Sequence, residues 1–134
     1  MPKLRAASLF LILIAFGMGL ARAETPQPYT DGAFEKLNAA GAPIIVFVHA
    51  DWCPVCHVQK PIVDGFAGSK PYGGVNVLVV DFDKQKDVLR KFDVDRQSTL
   101  IAYRGGREVG RQVGITQKDL IEILFQRASG QGGG

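Results

Sequence analysis

Two continuous apolar runs, APIIVFVHA at 42–50 and VNVLVVDFD at 75–83, constrain this chain more than any other feature in it. Neither alternates apolar with polar residues, so neither suits a strand with one face in water. Both suit strands buried on two faces, which requires helices packed on each side of the sheet. The intervening segments supply those helices. TDGAFEKLNAAG (30–41) precedes the first run, with Thr30 or Asp31 as cap, Phe34 and Leu37 facing inward and Gly41 as stop. From Cys53 a helix carrying Val55, Val58, Ile62 and Phe66 follows, and Pro61 inside it is expected to kink or interrupt it. GSKPYGG (68–74) reads as a loop by its turn residues.

Beyond the second run, KQKDVLRKFDV (84–94) is amphipathic, with Val88, Leu89 and Phe92 on one side. STLIAY (98–103) and REVGRQVG (107–114) read as strands, and Gly105-Gly106 between them as a primed hairpin turn. TQKDLIEILFQRA (116–128) closes as a helix with Thr116 as N-cap. ETPQPY (24–29) is expected to be an extended, mobile lead-in, and SGQGGG (129–134) a flexible tail. Strands separated by helices imply parallel neighbours, and the terminal hairpin adds an antiparallel edge. The expectation is one α/β domain over 24–134 with a mixed central sheet and helices on both faces.

The first 23 residues stand apart. Lys3 and Arg5 precede an apolar run from Ala6 to Leu20, which ends in Ala21-Arg22-Ala23. That is the pattern of a cleaved secretory signal peptide, and the run is too short for a membrane span. The leader holds Lys3, Arg5 and Arg22 and no acid; taking those three from the 16 basic residues leaves 13, equal to the 13 acidic ones. A neutral mature chain does not call for a nucleic-acid partner. Export would also set an oxidising context for the two cysteines.

Those cysteines lie in HADWCPVCHVQKP (49–61), where a buried strand gives way to a helix. Pro54 suits the first helical position, which makes Cys53 the N-cap or its neighbour. Backbone N–H groups and the positive end of the helix dipole would then stabilise a Cys53 thiolate. Cys56, one turn later and deeper, is placed to close a disulfide with it. Cys53 is thus expected to attack a substrate disulfide and Cys56 to resolve the mixed disulfide. A disulfide closing so short a loop is a weak structural staple.

The flanking residues leave alternatives open. His57, four residues after Cys53, either favours the thiolate or is a solvated surface histidine. Trp52 is either an exposed contact for peptide substrates or a cap on the core. His49 reads as a neutral, packed and hydrogen-bonded side chain more readily than as a ligand. A tetrahedral zinc site wants four protein ligands, and only His49 and His57 could join the cysteines. CPVCH matches the c-type haem attachment pattern, but it follows a buried strand directly, and Met1 and Met18 both lie in the leader.

ADWCPVCHVQKP, VNVLVVDFD and FDVDRQSTLIAYRGGREVGRQVG together resemble the thioredoxin family in order and spacing, from about Thr30 to Arg127. Pro61 five residues after Cys56, the strand–GG–strand hairpin and Gly114 add to the likeness. With the leader, the chain is similar to exported thioredoxin-like proteins of Gram-negative bacteria. The resemblance implies a thioredoxin fold and dithiol–disulfide exchange with protein substrates, by a monomer without a bound cofactor. Cys53 and Cys56 take the nucleophilic and resolving positions, with Trp52, Pro54 and His57 in support. Gln97, Ser98 and Thr99 fall where the family contacts the substrate backbone.

Three departures stand out. Ser98 occupies the place of the family's cis-proline, and a cis bond before a non-proline residue costs about 2.5–4 kcal/mol, so Gln97–Ser98 is expected to be trans. The missing proline also leaves room for a soft-metal alternative, a Cu(I) carrier using Cys53, Cys56 and His57. Phe47 replaces the buried acid of cytosolic members, and Pro54-Val55 replaces their Gly-Pro. The chain is also expected to be too short to hold the large helical insertion of strongly oxidising periplasmic relatives. The favoured expectation is therefore a periplasmic reductant, which would draw electrons from a membrane thiol-transfer protein. A redox-inert binding domain with a permanently closed disulfide is the third reading.

Overall fold

A computed structural model describes residues 25–132. The expected signal peptide at 1–23 and the last two residues of the expected tail lie outside that range. The described elements are β1 (Gln27–Pro28), α1 (Asp31–Ala39), β2 (Ile44–His49), α2 (Pro54–Ala67), β3 (Asn76–Asp81), α3 (Lys86–Lys91), β4 (Thr99–Arg104), β5 (Arg107–Val113) and α4 (Lys118–Ser129). They form a five-stranded sheet in the order β1-β3-β2-β4-β5. Among the described residues no helix is long and apolar enough to cross a membrane.

The two apolar runs take the centre, as their composition dictates. Successive side chains of a strand point to opposite faces, so a run buried on both faces feeds two cores at once. Ile45 and Phe47 of β2, with Leu100 and Ala102 of β4, pack under α2 and α4 against Val63, Phe66, Ile121, Leu124 and Phe125. Ile44, Val46 and Val48, with Ile101, pack on the opposite side against Phe34 of α1 and Val88, Leu89 and Phe92 around α3. Phe34, Phe92 and Tyr103 join this second core edge to face, at centroid distances of 4.9–6.0 Å.

Local signals set several boundaries. Thr30 caps α1, its hydroxyl accepting from the Ala33 N–H at 3.1 Å. Gly105 and Gly106, at φ +60° and +77°, make the hairpin turn between β4 and β5, a geometry with positive φ at both central residues that glycine adopts without strain.

Four expectations are corrected. The lead-in forms β1, which pairs in parallel with Leu78 and Val79 of β3. β4 runs antiparallel to β2 although a helix precedes it. The six residues of α3 rise only about 9 Å, against about 20 Å for a six-residue strand, so the chain stays at the C-terminal end of β2 and turns back from there. Helix α4 begins after Gln117, which makes no side-chain cap bond, rather than after Thr116. At its other end Ser129 is helical, Gly130 caps it in the left-handed region, and the Gln131 and Gly132 N–H groups donate to the Gln126 carbonyl.

Candidate active site

β2 delivers the chain to the cysteine motif. After His49 a tight turn closes with the Cys53 N–H donating to the Ala50 carbonyl at 3.1 Å. Cys53 is the N-cap of α2 in extended conformation (φ −85°, ψ 110°), and Pro54 takes the first helical position. At that position the absent proline N–H costs nothing, since helix N-termini leave those donors unpaired. The Cys53 sulfur serves as the capping acceptor, taking the Cys56 N–H at 3.1 Å. Cys53 and Cys56 are joined as a disulfide, with their Cα atoms 5.2 Å apart.

Both residues are buried, at 1% and 0% exposure, so the expected difference in depth between them is small. Their neighbours are apolar: Phe47, Ala50, Val63 and Leu100 belong to the same cluster. Phe47 occupies the sheet position of the family's buried acid at 1% exposure.

Helix α2 continues through Pro61 to Ala67 without interruption. Proline gives no N–H to the carbonyl of His57, but Pro61 is exposed, so water can serve that carbonyl instead. The buried stripe of the helix differs from the one its apolar residues suggest. Val58 is 49% exposed, whereas Cys56, Gln59, Val63, Phe66 and Ala67 face inward. Val55 and Ile62 are partly buried at the edge of that inner face, packed against the core, so of the apolar series only Val58 turns to solvent.

Gln59 lies on that inner face, and nothing in its sequence context signals it. Its side chain is fully buried, and its amide nitrogen donates to the Ser98 carbonyl at 3.1 Å and to the Ile115 carbonyl at 2.8 Å. Its amide oxygen is buried without a partner. Ser98 itself sits in the left-handed region at φ +58°, and its preceding peptide bond is trans. The Ser98 N–H donates to Val48 at the end of β2, and its carbonyl also receives the Gly114 N–H. Gln97 is half-buried, and Thr99 is buried with its hydroxyl donating to the Arg96 carbonyl at 2.7 Å. The structure therefore brings 97–99 against α2, one turn beyond Cys56.

Trp52 is 57% exposed, which excludes the core-cap reading. Its indole N–H donates to Asp83 at 2.9 Å, and its ring stands edge-on to Phe82. The His57 ring is turned back to the motif loop, where Nε2–H donates to the Asp51 carbonyl at 2.5 Å. Since a carbonyl only accepts, that nitrogen carries the proton. The ring of His49 lies 6.0 Å from that of His57. Burial holds the His49 pKa below its usual value, with the Asp51 carboxylate 3.7 Å from Nδ1 opposing the shift. His49 is thus neutral, as expected, but Nε2 is buried without a hydrogen-bond partner.

An open cleft of about 330 Å³ beside the motif is lined by Pro28, His49, Asp51, Asp81, Asp83 and Lys84 among others, and by neither cysteine. Among the described residues no three His, Cys, Asp or Glu side chains gather as a metal site, so the copper reading finds no third ligand beside the cysteines.

The sequence profile of the thioredoxin family matches residues 26–126. The thioredoxin of Chlamydia muridarum is 32% identical over 90 residues, covering 67% of this chain and 86% of that protein. Thioredoxin-2 of Saccharomyces cerevisiae is 37% identical over 81 residues, covering 60% and 76%. The crystal structure of Trxlp from Edwardsiella tarda EIB202 superposes with a TM-score of 0.70 at 42% identity, covering 73% of this chain and 95% of that one.

Proposed function

The chain belongs to the thioredoxin family, and from that premise we propose that it is an exported, monomeric thiol–disulfide oxidoreductase that reduces protein disulfides in the periplasm. The observation that carries this reading is the Cys53 sulfur at the N-cap of α2, bonded to the Cys56 N–H and within disulfide reach of Cys56. A thiolate at that sulfur keeps the same N–H bond and gains from the helix dipole.

In the reduced protein, the Cys53 thiolate attacks one sulfur of a substrate disulfide. The substrate S–S bond breaks, a mixed disulfide forms, and one substrate thiolate leaves. Cys56 then loses its proton to solvent and attacks the Cys53 sulfur, releasing the second substrate thiolate. The substrate has gained two electrons, and the protein is left with the Cys53–Cys56 disulfide. Exposed Trp52, next to Cys53 in the chain, and the 97–99 loop, held against α2 through Gln59, would receive the substrate chain. Export rests on the leader pattern at 1–23. The reducing direction rests on α2 passing to β3 through a short loop, with no helical insertion between them. Its electrons would come from a membrane thiol-transfer reductase.

Cys56→Ser in the full-length chain tests the proposal. Mixed disulfides with client proteins should accumulate in the periplasmic extract of a Gram-negative host, and Cys53→Ala should abolish them. Adducts that do not depend on Cys53 would overturn the exchange mechanism. Adducts confined to the cytosolic fraction would overturn the location.

A further inference from the structure

We propose that Gln59 is a positioning residue for the redox centre, gripping the Ser98 and Ile115 carbonyls and so fixing the 97–99 loop that meets the substrate. The inference rests on the exchange reading above and adds a residue to it.

A fully buried glutamine in a sheet-facing helix is costly unless its polar atoms are bonded. Here the amide nitrogen has two acceptors, at 3.1 and 2.8 Å, in segments 39 and 56 residues away. The amide oxygen has no partner, so the side chain is not there for its own hydrogen-bond balance. What the two bonds achieve is local. Ser98 holds φ +58°, which a serine seldom adopts. Its N–H is fixed on Val48, and its carbonyl is shared between the Gly114 N–H and the Gln59 amide. Strained backbone of this kind persists only where its surroundings over-determine it. Gln59 supplies that constraint from α2, the helix that carries both Pro54 and Cys56. Loop and cysteines are thereby referenced to one rigid element, in a chain with no proline at position 98.

Gln59→Met keeps the length and loses the donor, and Gln59→Glu keeps the shape with a titratable donor. With insulin as substrate, Gln59→Met should raise KM about tenfold, the scale of about one hydrogen bond, while kcat changes little. Its reaction with the small disulfide 5,5′-dithiobis(2-nitrobenzoate), which needs no loop, should stay within about twofold of the parent. In Gln59→Glu a carboxylate faces two carbonyl oxygens, whereas the protonated acid donates to one. Its insulin KM should therefore fall towards the parent value as pH is lowered from 8 to 5.5.

An unchanged insulin KM in folded Gln59→Met overturns the inference, as does an equal loss on both substrates. Should Gln59→Met fail to fold, the Gln59→Glu pH profile decides: recovery at low pH supports the role, and a flat profile overturns it. Failure of both variants to fold assigns Gln59 to stability alone and likewise overturns it. A parent protein inactive on both disulfides would instead sink the underlying exchange reading.

Discussion

Restoring the family's proline at position 98 should harm this protein. Ser98 holds φ +58°, and a proline ring fixes φ near about −65°, so Ser98→Pro cannot occupy the present backbone. Proline also removes the N–H that Ser98 donates to Val48 at 2.8 Å, leaving that carbonyl unpaired at the end of a buried strand. An unsatisfied buried group costs about 1–3 kcal/mol. Moving the loop out of its left-handed turn breaks the Gln59 and Gly114 bonds to the Ser98 carbonyl as well, at about 1 kcal/mol each. Reduced unfolded-chain entropy returns about 0.4–1 kcal/mol.

The balance is a loss of about 3 kcal/mol, or about 10–15 °C in melting temperature for a domain of this size. Thermal and urea unfolding of the oxidised protein measures it. Ser98→Gly, which suits positive φ, is the control and should stay within about 1 kcal/mol of the parent. A Ser98→Pro variant that melts at or above the parent would refute the reasoning, because it would mean that the loop already accepts the proline geometry.

Two further outcomes follow from the packing. A Cβ at Gly110 would lie 2.9 Å from Leu124 Cδ2 and 3.2 Å from Arg127 Cδ, so Gly110→Ala should cost about 1–3 kcal/mol in urea unfolding with insulin reduction intact; an unchanged midpoint would contradict the close packing of β5 on α4. Because burial holds the His49 pKa below 6.5, the unfolded chain binds the proton first as pH falls. Stability should therefore drop below about pH 6.5 and level off once the folded pKa is passed. His49→Gln should lessen that slope between pH 7.5 and 5, and identical slopes would place the pH dependence elsewhere.

The two central strands and the cysteine-bearing helix were legible in the sequence because burial on both faces leaves unbroken apolar runs and because Pro54 marks a helix start. β1 was not, since two residues that include a proline carry no strand signal and are held by the exposed edge of β3. The direction of β4 depends on how far α3 carries the chain, which hydrophobic pattern does not encode. In α2, Val58 belongs to the apolar series by spacing yet faces solvent, while Gln59 beside it faces the core. That burial was not legible: a glutamine in an amphipathic helix reads as surface, and its acceptors lie in other segments. Ser98 was visible as a departure from the family, but its left-handed backbone was not.

The most direct test of the account is the reduction potential of the Cys53–Cys56 pair in a glutathione redox series, followed by the Trp52 fluorescence or by alkylation. A periplasmic reductant should equilibrate well on the reducing side of about −200 mV, so that its dithiol passes electrons to client disulfides. A value near about −120 mV would make the disulfide a strong oxidant and contradict the direction proposed for this chain.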